Sequence, residues 1–384
     1  MPRPPVIESG QRAAWAGIER ACGPDGPPDL IGELHRRLRM LVPHEAAFLA
    51  ATDPLTGLST SPAVVDNIGE EYCSVFWEQE FGEDLLPFAE LTRGPLRAGG
   101  LRAGAGARVR HSGRFRHMMR PSGLGDEARV VFMDGGTVWG VAALYREEGR
   151  APFGERELSA LEKLAPIAGR GLRARALDQP ADSHGIPVGP GLVVLDPELR
   201  VLSMNDDAEA WLRLLPADPH SAGRPLPRPR PGLMTEVITV ARRAAARVRA
   251  EPGDGAPGGH TRARLRVRAT TGLWLTIHAS RLNDGSEAGS VAVVIEAAKA
   301  SEMAPIIAEA LGLTAREQEI THAVARGEAT GEIAARLHLS PHTVRDHLKS
   351  IFEKAGVSSR GELVARLFAD HYLPRAFGAH TGRG

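Results

Sequence analysis

Between Leu313 and Leu363 the chain marks its own helix boundaries, and no other stretch constrains the fold as tightly. Thr314-Ala-Arg-Glu317 is a capping box, in which a hydroxyl and a carboxylate each satisfy an orphan backbone donor. The helix it opens carries Ile320 and Val324 on one face and stops at Gly327. The spacing predicts a second helix from about Thr330 to Leu337 that buries Ile333, Ala334 and Leu337, followed by a turn at His338-Leu339-Ser340. Ser340 then caps a third helix, with Pro341 at the first position, where a missing N–H costs nothing. Gly356 ends it, and Ser359-Arg-Gly-Glu362 is a second capping box that opens a fourth helix.

At about 100° per residue, Val344, Leu348, Ile351 and Ala355 of the third helix share one face and belong to a core. His342, Arg345, Asp346, Lys349 and Glu353 share the opposite face. An exposed helix of that content just after a tight turn has the shape of a major-groove reader. Arg345 and Lys349 can donate to guanine O6 and N7 or to phosphate. Asp346 can accept from cytosine N4 and repels phosphate, so it suits reading more than gripping. His347 and Thr343 lie to the side and suit backbone phosphates. The competing reading is a solvated face on a small bundle.

The pieces Leu313-Thr-Ala-Arg-Glu-Gln-Glu, Glu332-Ile-Ala, Leu339-Ser, Thr343-Val-Arg-Asp-His and Lys354-Ala-Gly-Val-Ser-Ser-Arg360 follow one another without a gap over about 50 residues. Together they closely resemble the DNA-binding domain of the LuxR (LuxR/FixJ-type) family. The resemblance implies that Arg345, Asp346 and Lys349 face base edges and that Thr343, His347 and Lys354 lie near the DNA backbone. The candidate DNA-contacting set is Thr330, Ser340, His342, Thr343, Arg345, Asp346, His347, Lys349, Lys354 and Arg360. The fourth helix often pairs with its twin in such a dimer; Val364, Leu367 and Phe368 supply either that seam or core. The family often has a basic residue near Thr330-Gly-Glu, where this chain has Gly331. From Leu313 to Leu373 eight Lys and Arg balance eight Asp and Glu. Non-specific affinity scales with the phosphates neutralised, so a modest affinity and a shallow salt slope per protomer are expected.

The 384 residues suffice for two or three domains. No apolar run reaches the roughly 18 residues of a membrane span, and MPRPPVIESG lacks an apolar signal core. Cys22 and Cys73 are the only cysteines, which argues against a disulfide framework. A cytoplasmic protein without a membrane partner is expected. Arginine outnumbers lysine 43 to 4, a coding bias of high-GC genomes that carries no functional signal. There is no Gly-rich phosphate loop, no G-x-S-x-G and no metal triad, and His44-Glu45 is an isolated pair. The expectation is therefore no enzyme, with no catalytic residues, metal ligands or cofactor.

Residues Pro180–Pro190 read as a linker. Beyond it, Gly191–Leu195 and Leu199–Met204 read as strands around an Asp196-Pro197-Glu198 turn, and Asn205 starts a helix with Ala208, Trp211, Leu212 and Leu215. This opening resembles that of a PAS domain, which strands at Thr261–Ala269, Leu273–Ser280 and Ser290–Ala297 would complete. RPLPRPRPG (Arg224–Gly232) reads as an extended polyproline loop. Arg262, Arg264, Arg266 and Arg268 alternate with apolar residues, so all four guanidiniums share one sheet face. That face is either solvated or a docking surface for acidic groups on a partner domain or DNA. His278 makes no case for haem, and neither cysteine lies here to react with flavin.

Residues from about Pro27 to Leu177 read as α/β. A helix is expected at Ile31–Leu41 and strands at Ala46–Thr52, Ala128–Asp134 and Val138–Arg146, with Asp134-Gly-Gly as a hairpin turn. A long amphipathic helix follows at Glu155–Leu177. The hairpin, GVAALYRE and PFGERELSALEKLAPIAGRGL together resemble the end of a GAF domain. The paired acids of a phosphoacceptor receiver are missing, and Tyr72, Trp77, Phe81 and Asp84 have the wrong spacing for an acyl-homoserine-lactone pocket. The run Arg108–Arg120, with five arginines and two histidines, is either a solvated helix or loop, or an anion pocket or secondary nucleic-acid contact.

The expected fold class is thus multi-domain α/β, with GAF-like (16–178) and PAS-like (190–297) α+β sensor domains, followed by an all-α four-helix LuxR-type helix-turn-helix domain (306–373). The expected partners are double-stranded DNA, a second copy in a homodimer, an unknown small-molecule effector and, if the protein activates, RNA polymerase. The competing function is a sensor protein whose last domain is mainly a docking or dimerisation module.

Overall fold

A computed structural model describes residues 9–82, 84–177, 187, 189–216, 235–246, 263–282 and 289–368. They divide into two compact units, one holding two β-sheets and the other the C-terminal helices.

The first unit opens with helices α1 (Ser9–Ala21) and α2 (Leu30–Leu41), then β1 (Ala46–Thr52) and β2 (Ser59–Asp66), short helices α3 (Cys73–Glu80) and α4 (Phe88–Arg93), β3 (Ala98–Gly100) and α5 (Leu101–Ala105). A 3₁₀ turn at Gly106–His111 and a π turn at Phe115–Met119 lead into β4 (Leu124–Asp134), β5 (Thr137–Glu147) and α6 (Glu155–Arg175). The sheet runs β2-β1-β5-β4-β3. The β4–β5 turn takes positive φ at Gly135 and Gly136, as its Asp-Gly-Gly sequence requires. Both faces of this sheet are covered, so β1, β4 and β5 are buried along almost their whole length. Phe48, Val131, Val141 and Tyr145 point to a core shared with Phe76, Trp77, Phe88 and Leu101. On the other side α6 lies along β4 and β5 and α1 packs on α2. Gly169 lets α6 approach closely: a Cβ there would sit 2.5 Å from the Met133 backbone.

Strand β4 begins four residues before the expected Ala128, because Asp126 and Glu127 are buried rather than solvated. Glu127 Oε2 accepts from Arg114 Nε and Nη2 at 3.0 and 2.8 Å, and its Oε1 from Arg129 Nε at 2.8 Å. Arg129 also reaches Glu80 and lies over the Phe88 ring, 4.4 Å from its centroid. Arg114 is fully buried, so the Arg108–Arg120 run is not a uniformly solvated segment.

The second sheet runs β7-β6-β10-β9-β8, from β6 (Gly191–Leu195), β7 (Val201–Met204), β8 (Arg264–Arg268), β9 (Trp274–Arg281) and β10 (Val291–Ala297). Counted within each sheet, both share the order 2-1-5-4-3. Strand β7 starts two residues late because Leu199 takes φ +65°. Asn205 caps α7 (Asp206–Leu214), its side chain accepting from Ala208 N at 3.0 Å. Helix α8 (Thr235–Ala246), which the sequence reading missed, packs on α3 and β8. Arg224–Gly232 and Arg262 lie outside the described residues, as does most of the expected linker.

The alternating arginines resolve toward docking at one position. Arg266 is buried, and its backbone N–H and Nη1 donate to Asp53 Oδ2 at 2.8 and 3.0 Å, tying β8 to the residue that follows β1. Burial raises the Asp53 pKa despite the guanidinium beside it.

The second unit holds α9 (Ala300–Ala310), α10 (Ala315–Ala325), α11 (Thr330–Leu337), α12 (Pro341–Ala355) and α13 (Arg360–Phe368). Its core joins Met303, Ile306 and Ile307 of α9 to Ile320, Ile333, Val344, Leu348, Ile351, Leu363 and Leu367. Leu367 is 1 % exposed and Val364 partly buried against that core, so both serve the domain's own packing. The side chain of Phe368 lies outside the described set.

Candidate nucleic-acid interface

Local chemistry sets α12 in place. Thr314 and Glu317 form the expected capping box of α10: Glu317 N donates to Thr314 Oγ1 at 3.3 Å, and Thr314 N to Glu317 Oε2 at 2.7 Å. Gly327, at φ +82°, turns the chain toward α11, and His338 ends α11 in the left-handed region at φ 54°. Ser340 Oγ then accepts from Thr343 N at 3.0 Å, with Pro341 at the first helical position. Gly356 closes α12 at φ 61°. At the start of α13, Ser359 Oγ accepts from Glu362 N at 3.1 Å, while the Glu362 carboxylate takes the N–H of Ser358 rather than that of Ser359.

Val344, Leu348, Ile351 and Ala355 face the core, whereas His342, Arg345, Asp346, Lys349 and Glu353 are exposed on the opposite face. Thr343 and His347 are half-buried at the border between the two. His342 Nδ1 stands 2.9 Å from Asp346 Oδ2, so these two are paired along the helix.

Two members of the expected contact set are occupied inside the domain. Lys354 Nζ donates to Glu317 Oε2 at 2.6 Å, fixing the end of α12 to the start of α10. Arg360 Nη2 donates to the Glu328 carbonyl at 2.6 Å, with Nη1 3.4 Å from Thr330 Oγ1. The other cations divide clearly. Arg316 pairs with Glu319, and Arg326 and Arg336 with Glu328. Among the described residues Arg345, Lys349 and Arg366 have no such partner. Arg345 and Lys349 stand one turn apart on the exposed face of α12.

Glu317 is the hub that sequence reading saw only as a cap. Its side chain is 5 % exposed and also accepts from Ser350 Oγ at 2.7 Å. Burial pushes its carboxyl up, but Lys354, the Thr314 N–H and Ser350 outweigh that and hold its pKa down at about 2. A depressed carboxylate pKa stabilises the fold above the unfolded value near 4.5, and that stability is lost as pH falls toward 2. The stability advantage of the protein over Glu317→Gln is therefore expected to be full at pH 6, at most about 3 kcal/mol, and to vanish near pH 2. Denaturant unfolding of both proteins across that range checks it; an advantage independent of pH would rule the ion pair out as its source.

Among the described residues no three His, Cys, Asp or Glu side chains stand close enough to hold a metal ion. No described helix is long and apolar enough to cross a membrane.

Residues 311–367, which hold α10 to α12 and nearly all of α13, match the family described as bacterial regulatory proteins, luxR family. The chain is 38% identical over 55 residues to the spore germination protein GerE of Bacillus subtilis, covering 74% of GerE and 14% of this chain. The chain belongs to the luxR family. The probable transcriptional regulatory protein NarL of Mycobacterium tuberculosis is 36% identical over 75 residues, 20% of this luxR-family chain and 32% of NarL, so the chain spans about a third of that relative's length. The crystal structure of Escherichia coli SdiA aligns over 93% of this chain and 94% of its own at 11% identity, with a TM-score of 0.31, too low to show a shared overall fold.

Proposed function

We propose that the protein is a sequence-specific DNA-binding transcriptional regulator whose helix α12 reads the major groove. Arg345 and Lys349 contact base edges, with Asp346 beside them once His342 yields it. Ser340, His342, Thr343 and His347 line the backbone side. Lys354, Arg360 and Thr330 act mainly by holding α12 and α13 in position. The observation that carries this reading is the pair of unpartnered cations on the exposed face of a capped helix, in a domain whose other basic groups are mostly neutralised.

The two-sheet unit is the sensor. Its repeated 2-1-5-4-3 strand order supports a reading as two related modules, GAF-like over 16–178 and PAS-like over 190–297, ahead of a DNA-binding domain at 306–373. A cleft of about 440 Å³ lined mainly by the first module, with Trp77, Phe81 and Phe88 beside Glu80 and Arg93 and with Arg243 of α8 at its edge, falls within the size range of small-molecule sites. It is the candidate effector pocket. The protein acts in the cytoplasm as a homodimer, the two reading heads matching half-sites about 34 Å apart or a multiple of that spacing, and it meets RNA polymerase if it activates.

The salt dependence of DNA binding tests the interface. With only two or three free cations per protomer, two of them assigned to base edges, log K is expected to fall against log salt with a slope no steeper than about −3 per protomer, near 0.9 for each phosphate neutralised. A slope of about −6 or steeper per protomer would mean that other basic surfaces grip the DNA. No binding by the folded, dimeric protein would favour the docking-module reading.

A further inference from the structure

The Arg108–Arg120 segment of the first sheet module is built in two layers. Its inner layer is a set of anchors: Arg114 is sunk among Glu127, Asp84 and the Leu85 carbonyl, and Asp84 Oδ2 accepts from Ser112 Oγ and Arg114 N at 3.0 and 2.8 Å. Ser112 Oγ in turn accepts from Phe115 N at 3.0 Å. Its outer layer is cationic. Arg110, Arg116 and Arg120, with Arg102 from α5, line a cavity of about 700 Å³ whose apolar lining is Val109, Ala107 and Phe115. Glu148 is the one acid in that lining; among the described residues none of the four guanidiniums makes an ion pair, while Asp126 behind the cavity accepts from the Arg102 backbone N–H at 3.1 Å.

The four arginines are exposed, so solvent and salt screen their mutual repulsion, but together they give the cavity a positive potential that attracts anions. Arg102 is held ready by a 2.7 Å bond from Nε to the Gly125 carbonyl, which leaves its terminal nitrogens available. The backbone carries a second sign of a specialised site. Phe115–Met119 is a π turn, closed by Arg120 N donating to the Phe115 carbonyl at 2.9 Å. Such turns are rare and recur at functional sites. This one sets Arg116 and Arg120 at the cavity while Arg114 is drawn inward.

From this we infer that the cavity lined by Arg102, Arg110, Arg116 and Arg120 is a binding site for a small oligophosphate. Planar guanidiniums bind phosphate oxygens in pairs. Four of them against one carboxylate match a ligand of about three or more negative charges, which a chain of phosphates supplies within this volume. The half-buried Phe115 ring gives an attached aromatic group an apolar surface. The site is separate from α12 and from the aromatic cleft assigned to the effector, so it stands whether or not the DNA-reading proposal does.

Calorimetric titration of the full chain with tripolyphosphate, ATP, inorganic phosphate and citrate tests the site. Saturable binding of tripolyphosphate or ATP is expected, with inorganic phosphate and citrate weaker. Arg110→Gln/Arg120→Gln should weaken it by about tenfold or more, while Arg108→Gln, on the same segment but outside the cavity, should leave it unchanged. Ligand should also raise the unfolding midpoint in the protein and not in the double variant. Absent saturable binding, equal loss in Arg108→Gln, or tighter binding of citrate than of tripolyphosphate would overturn the inference. So would displacement of tripolyphosphate by duplex DNA in a chain carrying Arg345→Ala/Lys349→Ala, since the cluster would then be a nucleic-acid contact.

Discussion

Arg114→Ala is expected to destabilise the two-sheet unit by about 3–5 kcal/mol, the cost of breaking a buried ion pair from one side. The guanidinium is fully buried and donates to Glu127 through two nitrogens. Burial pushes the Glu127 carboxyl up, and it stays low only because Arg114 and Arg129 outweigh that penalty. Without Arg114, Glu127 keeps only the Arg129 guanidinium as a cationic partner, Asp84 loses its guanidinium, and the Leu85 carbonyl loses a donor. Guanidinium unfolding followed by probes of each unit reads the effect. The transition of the two-sheet unit should move to lower denaturant, while that of α9–α13 should not. Arg108→Ala, an exposed neighbour in the same basic run, should change stability by less than about 0.5 kcal/mol. A loss below about 1 kcal/mol in Arg114→Ala would mean that the carboxylates find other partners and that the network is not a keystone of the core.

The second large effect is on binding. Each bidentate base contact contributes about 1–3 kcal/mol of discrimination, so Arg345→Ala/Lys349→Ala should lose about 2–6 kcal/mol of specific affinity, or roughly thirtyfold to twenty-thousandfold. Neither side chain touches the core or pairs within the domain, so the variant should unfold at the same denaturant concentration as the parent protein. Arg326→Ala/Arg336→Ala removes an equal charge, from two arginines that are already paired with Glu328, and it should cost far less affinity. Fluorescence anisotropy on one duplex separates the two. Similar losses in both variants would show that net charge, rather than α12, governs binding.

The C-terminal helices were legible because their limits are local. Thr314, Gly327, Ser340, Pro341 and Gly356 each act on backbone within a few residues, so α11 and α12 fall where the sequence places them. Strands β1 and β6 were legible as short apolar runs with β-formers between turn residues. What stayed hidden depends on distant partners. Asp126 and Glu127 look like loop residues until Arg114 and Arg129 pair with the glutamate and the Phe153 and Arg102 N–H groups reach the aspartate. The period-two arginines of β8 fix a common face, but only Asp53, 213 residues away, buries Arg266. In the candidate interface the exposed face of α12 was readable from helical periodicity. The engagement of Lys354 by Glu317 was not, because it depends on how α10 and α12 pack.

The most direct measurement is selection of bound fragments from random and host genomic DNA by the purified chain, run beside Arg345→Ala/Lys349→Ala. The account predicts enrichment of a two-fold-symmetric site whose half-sites lie one helical turn or a multiple apart, and loss of that enrichment in the folded double variant. Enrichment of the same site by both proteins would contradict the assignment of α12 as the reading element, and no enrichment by the folded parent protein, with small-molecule extracts of the host present, would contradict sequence-specific regulation itself.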